Sequence, residues 1–83
     1  MLPEEKLKQA KKVFIGTKQT KKAIEKEEVQ LVFVACDAEK RVTEPLLKLC
    51  EEKGIEVVSV ATMQELGRLC GIEVGSAAAA IVQ

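Results

Sequence analysis

The stretch from Val29 to Cys36, reading VQLVFVAC, limits the possible folds more than any other part of the chain. It is nearly all β-branched, aromatic or otherwise apolar, and it lacks the polar–apolar alternation of a half-exposed strand. A run of this kind is a central strand covered on both faces. The chain has 83 residues, so the cover has to come from helices of the same small unit, and residues 1–83 read as one domain with one modest core.

The rest of the sequence supplies those helices in alternation with further strands. Pro3 followed by Glu4 and Glu5 is a helix start, and Leu7 and Ala10 form its thin apolar face. Val13-Phe14-Ile15 is a short strand closed by Gly16, after which Thr17 is expected to cap a second helix to about Lys26, with Ala23 and Ile24 inward. Beyond the central strand, Asp37 to Val42 reads as a polar loop. Thr43 is expected to cap a third helix starting at Glu44-Pro45 and ending at Gly54. Ile55 to Ala61 is a third strand. Thr62-Met63-Gln64-Glu65 is a capping box opening a fourth helix that stops at Gly71, and Ala77 to Val82 is a last strand of small residues. Successive right-handed crossovers place helices on both sides of a sheet, so the fold class is α/β. The expected architecture is a three-layer α/β/α sandwich around a four-stranded, mostly parallel mixed sheet.

Composition removes several function classes. There is no histidine, tryptophan or tyrosine, and there are only two phenylalanines, both inside apolar runs. Histidine-based acid–base catalysis, Ser-His-Asp or Cys-His pairs and Cys/His zinc sites are therefore closed, and modules that stack bases on aromatic side chains are disfavoured. Asp37 ends the central strand where α/β sheets often place catalytic groups, but no base, nucleophile or glycine-rich phosphate loop accompanies it. No enzyme activity, catalytic residue, cofactor or metal is expected, and no small-molecule substrate. Cys36, Cys50 and Cys70 stand among apolar residues without Cys-x-x-Cys spacing and read as buried thiols in a reducing compartment. No stretch resembles a signal peptide or a membrane span, so the expected location is cytoplasmic, with no membrane partner.

The charges balance in total, 13 basic against 13 acidic, but not along the chain. Residues 1–30 carry eight lysines and five glutamates, a surplus of +3, and residues 31–83 carry the matching −3. From Lys6 to Lys22 there are seven lysines and no acid. Such asymmetry points to a nucleic-acid or membrane surface.

The helix after Gly16 breaks a local rule. Its first turn should attract acids, yet Lys18, Lys21 and Lys22 stand there with no acid before Glu25. Each is unfavourable by a few tenths of a kcal/mol up to about 1 near the positive end of the helix dipole. Their i, i+3, i+4 spacing also crowds three ammonium groups on one face. A phosphate-bearing ligand resolves the conflict, because the free N–H groups of a helix start bind anions. Gly16 allows close approach, and Gln19 offers an amide that reads a base edge, guanine presenting O6 and N7 as acceptors. The alternative is a solvated lysine face. A second candidate is Gly71-Ile72-Glu73-Val74-Gly75-Ser76, where Ile72 and Val74 either form exposed apolar surface or tuck under the sheet edge. Arg68, one turn earlier, points to the same ligand or merely solvates its helix.

Gly16-Thr17-Lys18-Gln19-Thr20-Lys21-Lys22-Ala23-Ile24-Glu25 resembles the Gly-Thr-Asn-Glu-x-x-Lys-Ala-x-Glu motif of the ribosomal-protein family that binds RNA kink-turns. Leu66-Gly67-Arg68-Leu69-Cys70-Gly71-Ile72-Glu73-Val74 is similar to that family's second signature. The likeness covers essentially the whole chain and is greatest to short bacterial members of the YbxF type. It implies an α/β/α sandwich that grips a kink-turn, an RNA helix bent by a bulge beside tandem sheared G·A pairs. By that resemblance Lys18 and Gln19 stand at the Asn-Glu pair, and Lys22 is the lysine that reaches a guanine. Gly16 and Thr17 keep the close approach and the cap, and Ile72, Glu73 and Val74 form the loop over the extruded nucleotide. The chain has no asparagine, so Lys18 acts as a flexible point charge.

The expected function is thus a non-catalytic protein that recognises and stabilises kink-turn RNA, ribosomal, riboswitch or other, by favouring the bent conformer. The expected RNA-binding residues are Gly16, Thr17, Lys18, Gln19, Lys21, Lys22, Arg68, Ile72, Glu73 and Val74. The alternatives are a protein-interaction module or a constitutive ribosomal subunit on the same fold.

Overall fold

The computed structural model describes residues 3–82; Met1, Leu2 and Gln83 lie outside that range, as do the side chains of Pro3 and Glu4. In chain order the elements are α1 (Pro3–Gln9), β1 (Lys12–Ile15), α2 (Thr17–Lys26), β2 (Leu31–Ala35), α3 (Lys40–Lys53), β3 (Glu56–Val60), α4 (Met63–Leu69) and β4 (Ala78–Val82). The strands form one sheet in the order β1-β4-β2-β3.

Every residue of β2 is buried, as its uninterrupted apolar run requires. Its side chains alternate between two cores. Leu31, Phe33 and Ala35 pack with Leu7 of α1 and Leu66 of α4, whereas Val32 and Val34 pack with Ala23 and Ile24 of α2 and with Leu46 and Cys50 of α3. Two helices therefore cover each face, giving the expected three layers. The alanines of β4, Ala78, Ala79 and Ala80, are wholly buried between them and add little bulk to either side.

The balance of strand directions needs a correction. β2 pairs parallel with β3, Leu31 opposite Glu56, but β4 pairs antiparallel with both β2 and β1. β1, β2 and β3 therefore share a direction, yet only one of the three neighbouring pairs is parallel, because β4 is inserted between β1 and β2 and runs against both. The cause lies in the last connection. α2 and α3 each carry the chain back across the sheet, so the next strand repeats the direction of the last. α4 spans only seven residues, and the segment after it folds back on its start, the Ser76 N–H donating to the Met63 carbonyl at 3.0 Å. The chain thus returns to the end of the sheet where β3 finished, and β4 has to run the other way.

Two helix starts also differ from expectation. Thr17 is the first residue of α2 and not its cap; Gly16 holds the cap position, and no side chain bonds there. α3 begins at Lys40, with Glu39 at the cap, so Thr43 is a buried residue within the helix and Pro45 lies inside it. Pro45, in the second turn of α3, forfeits the backbone bond to Arg41 and its ring crowds that carbonyl, a cost set against the burial of Leu46 and Cys50 on the same helix. The capping box of α4 forms as expected, Thr62 Oγ1 accepting from the Glu65 N–H at 3.0 Å. Of the three thiols, Cys50 is buried and Cys70 half-buried, but Cys36 is exposed, because β2 ends one residue before it. No helix of the described residues is long and apolar enough to cross a membrane.

Candidate functional site

The carboxyl ends of β1 and β2 and the start of β4 lie along one edge of the sheet, where open α/β folds bind ligands. β1 ends in Gly16, whose backbone at φ 98° and ψ 160° lies in a region essentially reserved for glycine. This geometry lets its N–H donate to the Ala78 carbonyl of β4 at 2.9 Å while its own carbonyl accepts from Thr20, the first turn of α2. The chain turns at once from strand into helix. The amides that precede Thr20 in α2 have no carbonyl one turn back, and no acid stands in that turn. Lys18, Gln19, Lys21 and Lys22 are all exposed around this helix start. Among the described residues the only ion pair within 4.0 Å joins Arg41 to Glu39, both exposed, so none of these lysines is matched by a carboxylate.

The loop after α4 is the other half of the site. Gly71, at φ 79°, ends the helix, and the Ile72 N–H turns back to the Gly67 carbonyl at 3.0 Å. Gly67 is buried, and a β-carbon there would overlap the Val74 carbonyl oxygen, so the missing side chain lets the loop lie against α4. Asp37 ties the β2–α3 loop to the same place, its Oδ1 accepting from the Met63 N–H at the start of α4 at 2.8 Å. That bond gives Asp37 a positioning role. Val74 is 70% exposed and Ile72 half-buried, so of the two possibilities for this pair Val74 forms surface and Ile72 is partly tucked in.

These pieces enclose a cleft of about 440 Å³ whose lining includes Gly16 and Thr17 from one side and Ile72 and Val74 from the other. An adjoining groove of about 220 Å³ runs between α2 and α3, with Thr17, Lys18 and Lys21 facing Val42, Pro45 and Leu46. The fold thus brings Gly16, Thr17, Lys18, Lys21, Ile72 and Val74 around two neighbouring hollows. Gln19, Lys22, Arg68 and Glu73 line neither of them. Gln19 and Lys22 sit on the outer face of α2, and Arg68 is exposed near the end of α4. Sequence reasoning missed Ala38, Glu39, Val42 and Ala77, all of which line the cleft, whereas Gly75 and Ser76 belong to the loop it had singled out. The signal that points to them is topological: they follow β2 and precede β4 at the sheet edge where β1 ends.

An α/β/α sandwich with a cleft at its strand ends, partly apolar and bordered by unmatched lysines, is a binding fold. The chain belongs to the Ribosomal protein L7Ae/L30e/S12e/Gadd45 family, whose model matches residues 3–83. It is 46% identical over 78 residues to an RNA-binding protein of Bacillus pumilus, covering 94% of this chain and 95% of that one. It is 42% identical over 79 residues to the RNA-binding protein YbxF of Geobacillus stearothermophilus, covering 95% and 96%. It is also 53% identical over 68 residues to the large ribosomal subunit protein eL8 of Halobacterium salinarum, covering 81% of this chain and 57% of that protein. Among solved structures, the Giardia lamblia 15.5kD RNA binding protein superposes with a TM-score of 0.82 at 27% identity, covering 96% of this chain and 67% of that one. The chain is accordingly a non-catalytic member of the family.

Proposed function

We propose that this protein binds RNA through the cleft and the start of α2, and that its target is a kink-turn, which it stabilises in the bent form. The observation that carries this reading is the meeting of two sequence motifs on one cleft, Gly16-Thr17 facing Ile72 and Val74, with Lys18 and Lys21 beside it. The unbonded amides of α2 and the neighbouring lysines suit phosphate, and Gln19 and Lys22 on the same turn suit a guanine edge. The exposed Val74 suits an unstacked base, since apolar surface covers a base face without regard to its identity. The RNA-binding relatives and the resemblance of both motifs to those of kink-turn binders support the choice of target. In this reading residues 1–83 work as one RNA-binding unit inside the cell, without cofactor or small-molecule substrate.

The test is equilibrium binding to a kink-turn RNA and to a control whose sheared G·A pairs are replaced by Watson–Crick pairs. Preference for the kink-turn is expected, lost on Lys22→Ala or Gln19→Ala, with affinity falling as salt rises. Equal affinity for the two RNAs would falsify the kink-turn assignment. The likeness to eL8 favours one further reading, a constituent of the ribosome. Sedimentation of the endogenous protein with or apart from ribosomal subunits separates a constituent from a regulator.

A further inference from the structure

The lysines of the N-terminal part are not all at the cleft. α2 runs back along β1 after the turn at Gly16, and its ten residues cover about 14 Å. The four residues of β1 cover a little over 10 Å. The end of α2 therefore lies level with the start of β1. Two contacts agree: the Gln30 N–H, just past α2, donates to the Ile81 carbonyl at 2.9 Å, and Ile81 lies opposite Val13. Around α2, Lys18 and Lys21 face α3 across the groove described above. Helical spacing sets Lys26 about 140° around the axis from Lys21, on the flank away from α3, with Lys22 on the outer crest between them. β1 is an edge strand, and Lys12 at its start has its Nζ over the Phe14 ring, 5.9 Å from the centroid. Phe14 packs in the core beneath α2 and α3, so Lys12 lies on the same side of the sheet as α2.

From this arrangement we infer that Lys26 and Lys12 continue the basic surface beyond Lys22 as a track leading from the outer face of α2 down the β1 edge, which holds the phosphate backbone of a double-helical stem flanking the bound RNA site. The inference rests on the RNA-binding reading above and extends it to a second contact. All three lysines are exposed, and among the described residues no carboxylate lies within 4.0 Å of any of them. Lys22 and Lys26 are separated by about 6 Å along the helix axis, a spacing comparable to that of successive phosphates on one strand. Lysine ammonium groups contact phosphate without reading sequence. An acidic protein surface is the competing occupant; Glu25, Glu27 and Glu28 stand next to Lys26 in sequence, and it is the continuity of these cations with the helix start proposed to bind RNA that favours a nucleic-acid backbone.

The full chain and the variant Lys12→Gln/Lys26→Gln are compared on a kink-turn RNA with long flanking helices and on one trimmed to the shortest helices that keep the kink. The variant is expected to bind the long RNA about tenfold more weakly, with the slope of log K against log salt reduced by about 2. Its affinity for the trimmed RNA, its preference for the kink-turn over the Watson–Crick control and its thermal midpoint stay unchanged. Lys12→Arg/Lys26→Arg restores binding to the long RNA. An unchanged salt slope on the long RNA, or the same loss on both RNAs, overturns the track while leaving the kink-turn reading intact. If wild-type protein shows no preference for the kink-turn, the reading beneath it fails instead.

Discussion

Gly67→Ala tests how the loop of the site is held. A β-carbon at residue 67 would overlap the Val74 carbonyl oxygen and meet the Val74 carbonyl carbon at 3.0 Å and the Gly75 Cα at 3.2 Å. Unstrained contact between such atoms begins near 3.5 Å, so the loop has to retreat from α4 by about 1 Å or more. Two backbone hydrogen bonds hold it there, from Ile72 to Gly67 and from Ser76 to Met63, each 3.0 Å long. Their loss costs about 1–3 kcal/mol together, and alanine within α4 returns about 1 kcal/mol of helix propensity. Global stability measured by urea unfolding should therefore fall by no more than about 2 kcal/mol. The distinctive outcome is local: the Ile72 and Ser76 amides lose hydrogen-exchange protection while those of β2 keep theirs. RNA affinity falls with them. A variant more stable by about 1 kcal/mol with unchanged exchange at both amides would show that the loop does not rest on Gly67.

Three further perturbations follow from the packing. Thr20 is wholly buried and its Oγ1 has no hydrogen-bond partner, so Thr20→Val should leave stability unchanged or raise it by about 1 kcal/mol in thermal unfolding; a loss above about 1 kcal/mol would mean that the hydroxyl is bonded. Asp37→Ala removes the acceptor for the Met63 N–H and should cost about 1–2 kcal/mol, with faster exchange at that amide as the check against a merely exposed carboxylate. Burial raises the Cys50 and Cys70 thiols above their ordinary range, so the unfolded chain ionises first and stability, intact at neutral pH, declines as pH climbs above about 8.5. Urea midpoints measured against pH should show this decline, and a Cys50→Ala/Cys70→Ala chain should lack it.

What could be read from the sequence depended on how local its cause is. β2 announces itself because all five of its residues are buried, and α4 because Thr62 and Glu65 stand at the spacing their own cap requires. The start of α3 was hidden for the opposite reason. Glu39 makes no side-chain cap bond, Thr43 imitates a cap while packing inside, and Pro45 imitates a boundary while sitting in the helix. The antiparallel course of β4 is set by how the segment after α4 folds back on Met63, and no local residue pattern encodes that return. The site divides in the same way. Gly16 and the lysines after it stand out as a breach of helix chemistry, and the Gly71–Ser76 loop as apolar residues between glycines. That the two meet, and that Glu39, Val42 and Ala77 share their cleft, depends on the strand order.

The order β1-β4-β2-β3 also sets when the site comes into being. β4 is the latest of the four strands in sequence, yet it lies between the first two. Before residues 78–82 are made, β1 has no neighbour in the sheet, the Gly16 N–H lacks the Ala78 carbonyl, and Ala35 lacks Ala77. β2, α3 and β3 are contiguous in sequence, whereas the edge that forms the cleft joins residues 12–16 to residues 77–82. The inserted strand thus makes the cleft a long-range feature: the turn at Gly16 is fastened by a strand more than sixty residues further along the chain.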